Sequence, residues 1–273
     1  MIGSAWMAGL AAAAAFAATR ALLPQALEII VRAGFAQPNF RGQPVPVSAG
    51  VAAAFVYVSV LLLWHAAQPD SLILHLAFVV CAMALAGFAD DVWGDKSAQG
   101  LRGHGRLLLQ GRWSTGAVKA VFGLLVGLAA ARTAAGGVYG TLVGGVVIAL
   151  AANAVNLLDV RPGRALKGAA FLHAALLAAS WPAPLWLYVL PLWGVLAAYA
   201  PYDLRAKAML GDGGANWIGA VAGVAAVSGL TPAGLAVAAA ALVLLHVVAE
   251  TESITGWIER VPLLRRLDEW GRE

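Results

Sequence analysis

The sequence predicts an all-α protein, a polytopic transmembrane helix bundle of about nine spans. Of its 273 residues, 61% are hydrophobic and only 12% are charged, whereas soluble domains carry about 25% charged residues. The mean hydropathy is +0.80. So few charges cannot cover that much apolar surface in water, and lipid must therefore be the solvent for much of the chain. The apolar residues also fall into runs of spanning length, with the basic residues collected between alternate runs.

The apolar runs define the spans. A helix needs about 20 apolar residues to cross the hydrocarbon core, and only a helix of this kind satisfies its own backbone polar groups there. Runs near that length occupy 3–22, 48–67, 70–89, 115–133, 138–156, 165–181, 183–200, 214–230 and 232–249. The first run lacks a basic start and is followed by Arg20, so it is interpreted as a retained helix and not as a signal peptide. The single cysteine, Cys81, lies within a run and is interpreted as a core residue.

The basic residues predict the orientation. With an outside N-terminus and nine alternating spans, the inner segments are 20–47, 90–114, 157–164, 201–213 and 250–273. Seventeen of the eighteen Lys and Arg residues then lie on the inner side, and only Arg132 lies outside. We therefore expect a multi-pass protein of the plasma membrane with a cytoplasmic polar face and a cytoplasmic C-terminus. The formal charge of +4 is attributed to these loops and not to nucleic-acid binding.

Two polar segments complete the predicted organisation. Segment 24–47 contains four prolines, and we expect a short interfacial helix in LEIIVRAGF followed by a loop. The transmembrane domain covers 1–249. The remainder, 250–273, is predicted to be an amphipathic tail that lies on the inner leaflet and breaks at Pro262.

The first acidic motif is GFADDVWGD at 87–95, which contains Asp90 and Asp91 and ends in Asp95. Adjacent aspartates at the end of an apolar helix are costly unless they hold a cation, share a proton or reach water. A hard cation such as Mg²⁺ prefers oxygen ligands and commonly bridges to substrate phosphates. The alternative is that these carboxylates only pair with nearby Arg and Lys side chains.

Two further motifs lie at the same predicted face. Asn153, Asn156 and Asp159 are spaced i, i+3, i+6 and so share one face of a helix end; the alternative is hydrogen bonding between helices. In the second motif, Gly211 and Gly213 flank Asp212 just before a span. Glycines allow a phosphate to approach the backbone, and the following helix N-terminus offers N–H groups to it. The alternative for Asp212 is a simple N-cap.

The order of these motifs resembles the polyprenyl-phosphate N-acetylhexosamine-1-phosphate transferases, the family that includes phospho-N-acetylmuramoyl-pentapeptide transferase. That family has an Asp-Asp pair after its third span, an NxxNxxDG stretch after its fifth and a GDxGS-like stretch before its eighth. The segment GQPVPVSAG at 42–50 resembles its first cytoplasmic loop, and Lys119 matches a lysine at the start of its fourth span. The resemblance covers about residues 40–270.

The resemblance implies a Mg²⁺-dependent enzyme that transfers N-acetylhexosamine 1-phosphate from a UDP-sugar to undecaprenyl phosphate and releases UMP, as in peptidoglycan and other cell-wall biogenesis. It implies membrane lipids as surroundings and leaves a homodimer open. The roles it implies are Mg²⁺ binding by Asp212, orientation or deprotonation of the lipid phosphate by Asp90 or Asp91, nucleotide contacts from Asn153, Asn156 and Asp159, and phosphate contacts from Lys119, Gly211 and Gly213.

The sequence departs from the family pattern at several places. Val160 and Arg164 replace a glycine and a leucine, and Ala215 replaces the serine of the third motif. The tail takes the place of a histidine-rich loop, which leaves His104 as the one histidine expected on the cytoplasmic side. The alternative hypothesis is therefore a catalytically inactive relative that binds polyprenyl phosphate or acts as a scaffold. A transporter or channel would instead carry polar residues through the depth of the bilayer.

Overall fold

The computed structural model describes residues 2–94, 103, 106–107 and 109–272, with side chains described from residue 5. Asp95 and His104, both named above, lie outside the described residues. The described part contains eleven α-helices and one two-stranded ribbon, which confirms the all-α prediction. The elements are α1 Ile2–Arg32, β1 Ala36–Pro38, β2 Pro44–Pro46, α2 Ala49–Ala67, α3 Ser71–Trp93, α4 Thr115–Ala134, α5 Gly137–Leu158, α6 Arg164–Ser180, α7 Trp186–Leu204, α8 Asp212–Val227, α9 Pro232–Thr251, α10 Ile254–Arg260 and α11 Pro262–Glu269.

A polytopic membrane bundle is confirmed, but the count of nine spans is not reached. Each predicted run is occupied by a helix, yet within the described ranges six helices are long and apolar enough to cross a membrane: α1, α2, α3, α4, α5 and α9. The helices α6 and α8 have only 17 and 16 residues, and α7 contains two prolines. The predicted sidedness of the bundle stays a prediction.

Helix α8, with 16 residues, lies inside the bundle. Every residue from Gly213 to Val227 is buried, and α2, α3, α5 and α6 pack around the helix. The ring of Trp217 stacks on that of Tyr57 in α2, with 5.6 Å between the ring centroids. A helix that is enclosed by protein need not match the thickness of the hydrocarbon core, since neighbouring helices and not lipid surround it.

The segment after the first span differs from the prediction. Helix α1 continues through Pro24 to Arg32, so the prediction of a separate interfacial helix was wrong. Leu23 and Leu27 are buried on either side of the proline, and this packing offsets the backbone hydrogen bond that the proline removes. The predicted loop contains the antiparallel ribbon of β1 and β2, in which Gln37 pairs with Val45.

The tail folds as two short helices that meet at Pro262, where a break was predicted, and an ion pair ties the second helix to the bundle. Arg164 donates to both carboxylate oxygens of Asp268 at 2.8 and 2.9 Å, and the two side chains are only 5% and 10% exposed. Arg164 also donates to the Thr255 hydroxyl at 2.8 Å. Burial opposes ionisation of Asp268, but the hydrogen bond and charge of Arg164 prevail and hold its pKa below the usual value.

We expect Asp268→Asn to release the tail, because it leaves the buried Arg164 guanidinium without a carboxylate partner. Hydrogen exchange of residues 254–272 should become at least about tenfold faster, as measured by mass spectrometry on the detergent-solubilised protein. The matched control is Glu269→Gln, which changes an exposed carboxylate on the same helix and should leave exchange unchanged. Equal exchange in both variants would contradict the anchoring role.

The lowered pKa of Asp268 also predicts a pH dependence. A carboxyl group whose pKa is lower in the folded state stabilises that state above its unfolded pKa of about 3.9, and this contribution is lost as the pH falls through the folded value. The tail of the wild-type protein should therefore lose exchange protection, relative to the intrinsic rates, as the pH falls below about 4. Asp268→Asn should show no such transition, and a wild-type tail with constant protection down to the pH of global unfolding would refute the assignment.

Candidate active site

The three acidic motifs meet at one end of the bundle, which we call the acidic end and define by Asp90, Asp91, Lys119, Asp159 and Asp212. Backbone N–H groups at the start of α8 are hydrogen-bonded to carboxylates from both other motifs, over sequence separations of 52 and 121 residues. The apolar helices α3, α5 and α8 each end or begin at this level. Their packing therefore places polar residues from distant parts of the chain side by side.

Lys119 joins two of the carboxylates. Its ammonium group donates to Asp90 Oδ2 at 2.6 Å and to Asp212 Oδ2. Asp90 lies in the last turn of α3, Lys119 early in α4, and Asp212 is the first residue of α8. Their side chains are 18%, 18% and 26% exposed, so they are held in place and still reach solvent. A ligand that approaches this end of the bundle can contact all three.

Asp91 has a different environment from its neighbour. Its carboxylate accepts hydrogen bonds from the backbone N–H groups of Asp212 and Gly213, both at 3.0 Å, and from the Ser48 hydroxyl. Asp91 therefore caps the N-terminus of α8 from another helix, where a negative charge also meets the positive end of the helix dipole. Sequence reasoning missed Ser48, whose only signal was its place within the loop segment 42–50.

The start of α8 is closed by contacts within the protein. Gly211 adopts a left-handed φ of +72°, and a Cβ atom there would lie 2.6 Å from Asp91 Oδ2. The Gly211 N–H donates to Asp159 Oδ2 at 2.8 Å, and those of Gly214 and Ala215 donate to the Gly211 carbonyl. The N–H groups that the sequence analysis assigns to a phosphate are thus held by Asp91, Asp159 and the backbone. Phosphate contacts from Gly211 and Gly213 stay predictions.

The polar stripe on α5 contributes unequally to the acidic end. Burial, and after it the negative charge of Asp203, raise the pKa of the Asp159 carboxyl to about 8, although the Gly211 N–H acts in the opposite direction. The surroundings of Asp159 thus favour its uncharged form more than those of an ordinary aspartate. Asn156 Oδ1 is buried and lacks a hydrogen-bond partner within the described chain, which is typical of an acceptor that meets water or a ligand. Asn153 is half-buried one turn earlier.

The carboxylate oxygens of Asp90 and Asp212, beside Lys119, are of the kind that binds a magnesium ion. Within the described residues, no group of three or more His, Cys, Asp or Glu side chains forms a complete metal cage. A cage is not required, because Mg²⁺ is commonly held by one or two carboxylates together with water and substrate phosphates. The partly exposed carboxylates of Asp90 and Asp212 already share one cation, the ammonium of Lys119. Two carboxylates thus share a single ammonium group and Asp91 lies close by, so a divalent ion would also offset the charge that repels a phosphate.

A sequence model of glycosyl transferase family 4 matches residues 73–230, more than half of the chain. The chain belongs to glycosyl transferase family 4. Membership identifies it as a membrane transferase of a sugar phosphate to polyprenyl phosphate, and it confirms the family expected from the three motifs. The comparison with curated proteins gave no match.

The match to glycosyl transferase family 4 contains every predicted site residue, from Asp90 to Gly213. Ser48, which donates to Asp91, lies before the matched segment, and Asp268 of the tail lies after it. Parts of the chain outside the family match therefore support residues within it. The individual roles of the site residues stay predictions.

We expect Asp91 to act in this family 4 protein as a positioning residue. Asp91→Ala leaves two backbone N–H groups of α8 unpaired, at about 1–3 kcal/mol each when buried, so the thermal midpoint followed by tryptophan fluorescence should fall by several degrees. Asp91→Asn keeps one acceptor oxygen, and its thermal midpoint should therefore fall by less than that of Asp91→Ala. The adjacent variant Asp90→Ala is the control, because Asp90 makes no bond to the α8 backbone and its loss should lower activity more than stability. Equal midpoints for Asp91→Ala and the wild type would contradict the capping role.

Proposed function

We propose that the protein transfers N-acetylhexosamine 1-phosphate from a UDP-sugar to undecaprenyl phosphate, with release of UMP. The observation that carries the proposal is the pair of partly exposed carboxylates, Asp90 and Asp212, held on the ammonium of Lys119 at the acidic end. Family membership supplies the reaction class. A site at the end of an apolar bundle suits substrates of opposite character, because one is a membrane lipid and the other a soluble nucleotide.

The reaction forms one bond and breaks one bond. A phosphate oxygen of the lipid attacks the β-phosphorus of the UDP-sugar, and the bond from that phosphorus to the bridging oxygen of UMP breaks. The products are a lipid diphosphate sugar and UMP. Little covalent chemistry is required of the protein, so catalysis depends on positioning the two phosphates in line and on stabilising their charge.

We assign distinct roles to the four acidic residues. Asp212 would hold Mg²⁺, which when bound supplies positive charge to the nucleotide diphosphate. Asp90, which reaches solvent beside Lys119, would orient the lipid phosphate and accept its proton where one remains. Asp91 would fix the position of Asp212 by holding the start of α8. Asp159 would keep the preceding Gly211 in place.

The remaining predicted residues suit contacts to the substrates. The Lys119 ammonium would exchange its carboxylate partners for phosphate oxygens when the substrate binds. It would therefore remain paired with a negative charge throughout. The buried Oδ1 atom of Asn156 would accept a hydrogen bond from an N–H group of the nucleotide base. Asn153, one turn earlier on the same helix, would lie near the same base. We place the acidic end at the cytoplasmic face of the plasma membrane. The asymmetry of Lys and Arg residues supports this placement, and UDP-sugars require access from water.

The proposal is tested with the purified full chain in nanodiscs. Undecaprenyl phosphate is supplied with a panel of UDP-N-acetylhexosamines, including the muramoyl-pentapeptide form, with and without Mg²⁺. We expect release of UMP with one UDP-sugar, matched by an equal amount of lipid diphosphate sugar in the mass spectrum, and no release without Mg²⁺ or lipid. Release of UDP would show that the sugar C–O bond breaks and would overturn the proposal. Lipid binding without turnover on any nucleotide sugar would favour the inactive relative.

A further inference from the structure

A basic cavity lies between the β-ribbon and the turn after α7, apart from the carboxylates of the acidic end. Its volume is about 650 Å³, and Arg41, Arg205 and Lys207 line it together with the residues of β2. All three side chains are exposed, and none of them belongs to the cluster around Asp212. The cavity thus concentrates positive charge at a place that the proposed reaction does not use.

The walls of this cavity are fixed by specific backbone and side-chain bonds. The buried side-chain amide of Asn39 donates to the Ala206 carbonyl at 3.0 Å, and the Met209 N–H donates to the Pro46 carbonyl at 2.9 Å. Ala206 has a φ of +51°, a left-handed conformation that is costly for a residue with a Cβ atom. The flanking Arg205 and Lys207 both line the cavity. Strain of this kind persists only where surrounding contacts hold it, and it is concentrated at binding sites.

An apolar cleft adjoins the basic cavity. It has a volume of about 530 Å³ and lies between α1 and the end of α7. Pro24, Leu27 and Val31 of α1 line it, together with Tyr202 and the exposed ion pair of Glu28 and Arg32, whose charged groups are 3.4 Å apart. Pro46 and Lys207 line both spaces, so the cleft and the basic cavity lie side by side at these two residues. Neighbouring α1 residues such as Ile29 are 65% exposed, as expected on a surface that faces lipid. The two spaces together, here called the combined space, present three cations on one side and the apolar side chains of Pro24, Leu27 and Val31 on the other.

We propose that the combined space binds a phosphate group carried on a membrane lipid. The phosphate would lie between the guanidinium groups of Arg41 and Arg205 and the ammonium of Lys207, and the acyl chain would follow Leu27 and Val31 along α1. Guanidinium groups bind phosphate oxygens in a bidentate manner, and basic pockets between helices at the cytoplasmic side bind phospholipid head groups. A free phosphate ion or a nucleotide could contact the cations but would leave the apolar side chains of the cleft uncovered.

The test counts lipids bound to the full chain by native mass spectrometry from detergent. The protein is titrated with phosphatidic acid, with phosphatidylcholine, and with phosphatidic acid in the presence of excess inorganic phosphate. We expect one tightly held phosphatidic acid, and Arg205→Gln combined with Lys207→Gln should weaken it at least about tenfold. The control is Arg265→Gln combined with Arg266→Gln, which removes two exposed cations from the tail helix and should leave this lipid in place.

A second variant tests the apolar part of the site. Val31→Trp places a large side chain at the mouth of the cleft, on a residue that is 49% exposed and therefore tolerant of the change. It should displace phosphatidic acid while the three cations remain. Asp212→Asn should retain the lipid, because this site is independent of the transferase reaction.

Three results would each overturn the proposal. The first is equal retention of phosphatidic acid by the wild type and by the Arg205 and Lys207 double variant. The second is an equal loss in the tail control, which would indicate only general attraction of basic surfaces to anionic lipid. The third is displacement of phosphatidic acid by the excess inorganic phosphate, which would assign the cavity to a soluble phosphate.

Discussion

Asp212→Asn is expected to lower the rate of UMP release by about a thousandfold or more at saturating substrates. Removal of a single electrostatic contact that stabilises a transition state costs about 10²–10³ in turnover, and loss of the charge that holds a metal adds to this. The substitution preserves the size of the side chain. It removes the anionic partner of Lys119 on α8, but Lys119 keeps its 2.6 Å bond to Asp90. The fold should therefore survive while the chemistry fails.

The matched control for Asp212→Asn is Asp70→Asn, at the opposite end of α3. Asp70 caps that helix by accepting from the Leu72 N–H at 2.8 Å, and asparagine is an equally good N-cap. Its turnover should stay within a few fold of the wild type. More than about one tenth of wild-type turnover in Asp212→Asn, together with an unchanged Mg²⁺ requirement, would remove Asp212 from the proposed mechanism.

Sequence reasoning predicted that the three acidic motifs lie close together because it depended on a strong rule. Apolar runs fix where each helix crosses, so acidic residues at the ends of three such runs share a level as soon as orientation is assigned. The contacts of Asp90 with Lys119, and of Asp159 with Gly211, follow from that shared level. The different partners of Asp90 and Asp91 do not follow from it. Which of two adjacent carboxylates faces the start of α8 depends on the rotation of α3, and composition gives no measure of that rotation.

Contacts over long sequence separations account for most of what the sequence did not predict. The pair of Arg164 and Asp268 joins residues 104 positions apart, and no periodic pattern links them. Arg164 looked like a departure from the family pattern, whereas the structure gives it a partner in the tail. The span count failed for a related reason. Apolar runs were counted as spans by their composition, but the helices that occupy two of these runs, α6 and α8, have only 17 and 16 residues, and their ends depend on packing and not on hydropathy.

Gly87→Val is expected to have the largest effect on folding, because α3 and α8 touch through their backbones at this glycine. A Cβ atom at Gly87 would lie 2.1 Å from the Asp212 carbonyl oxygen and 2.6 Å from the Gly213 nitrogen. Neither atom belongs to a flexible side chain, so the two helices would have to separate. Overpacking of this kind costs about 1–3 kcal/mol and more where the backbone itself must move. We expect Gly87→Val to yield no monodisperse protein and Gly87→Ala to lower the thermal midpoint by many degrees.

The control separates this contact from the general effect of glycine in a helix. A Cβ atom at Gly123, in the middle of α4, would meet the Met83 side chain at 3.9 Å, an ordinary van der Waals distance. Gly123→Ala should therefore stabilise the protein by up to about 1 kcal/mol through helix propensity alone. A midpoint for Gly87→Ala at or above that of the wild type would disprove the close approach. Because the same contact holds Asp212 beside Lys119, the folded fraction of Gly87→Ala should also release UMP more slowly than the wild type. Helix packing at Gly87 and the charge cluster at Asp212 would then be parts of one structural unit.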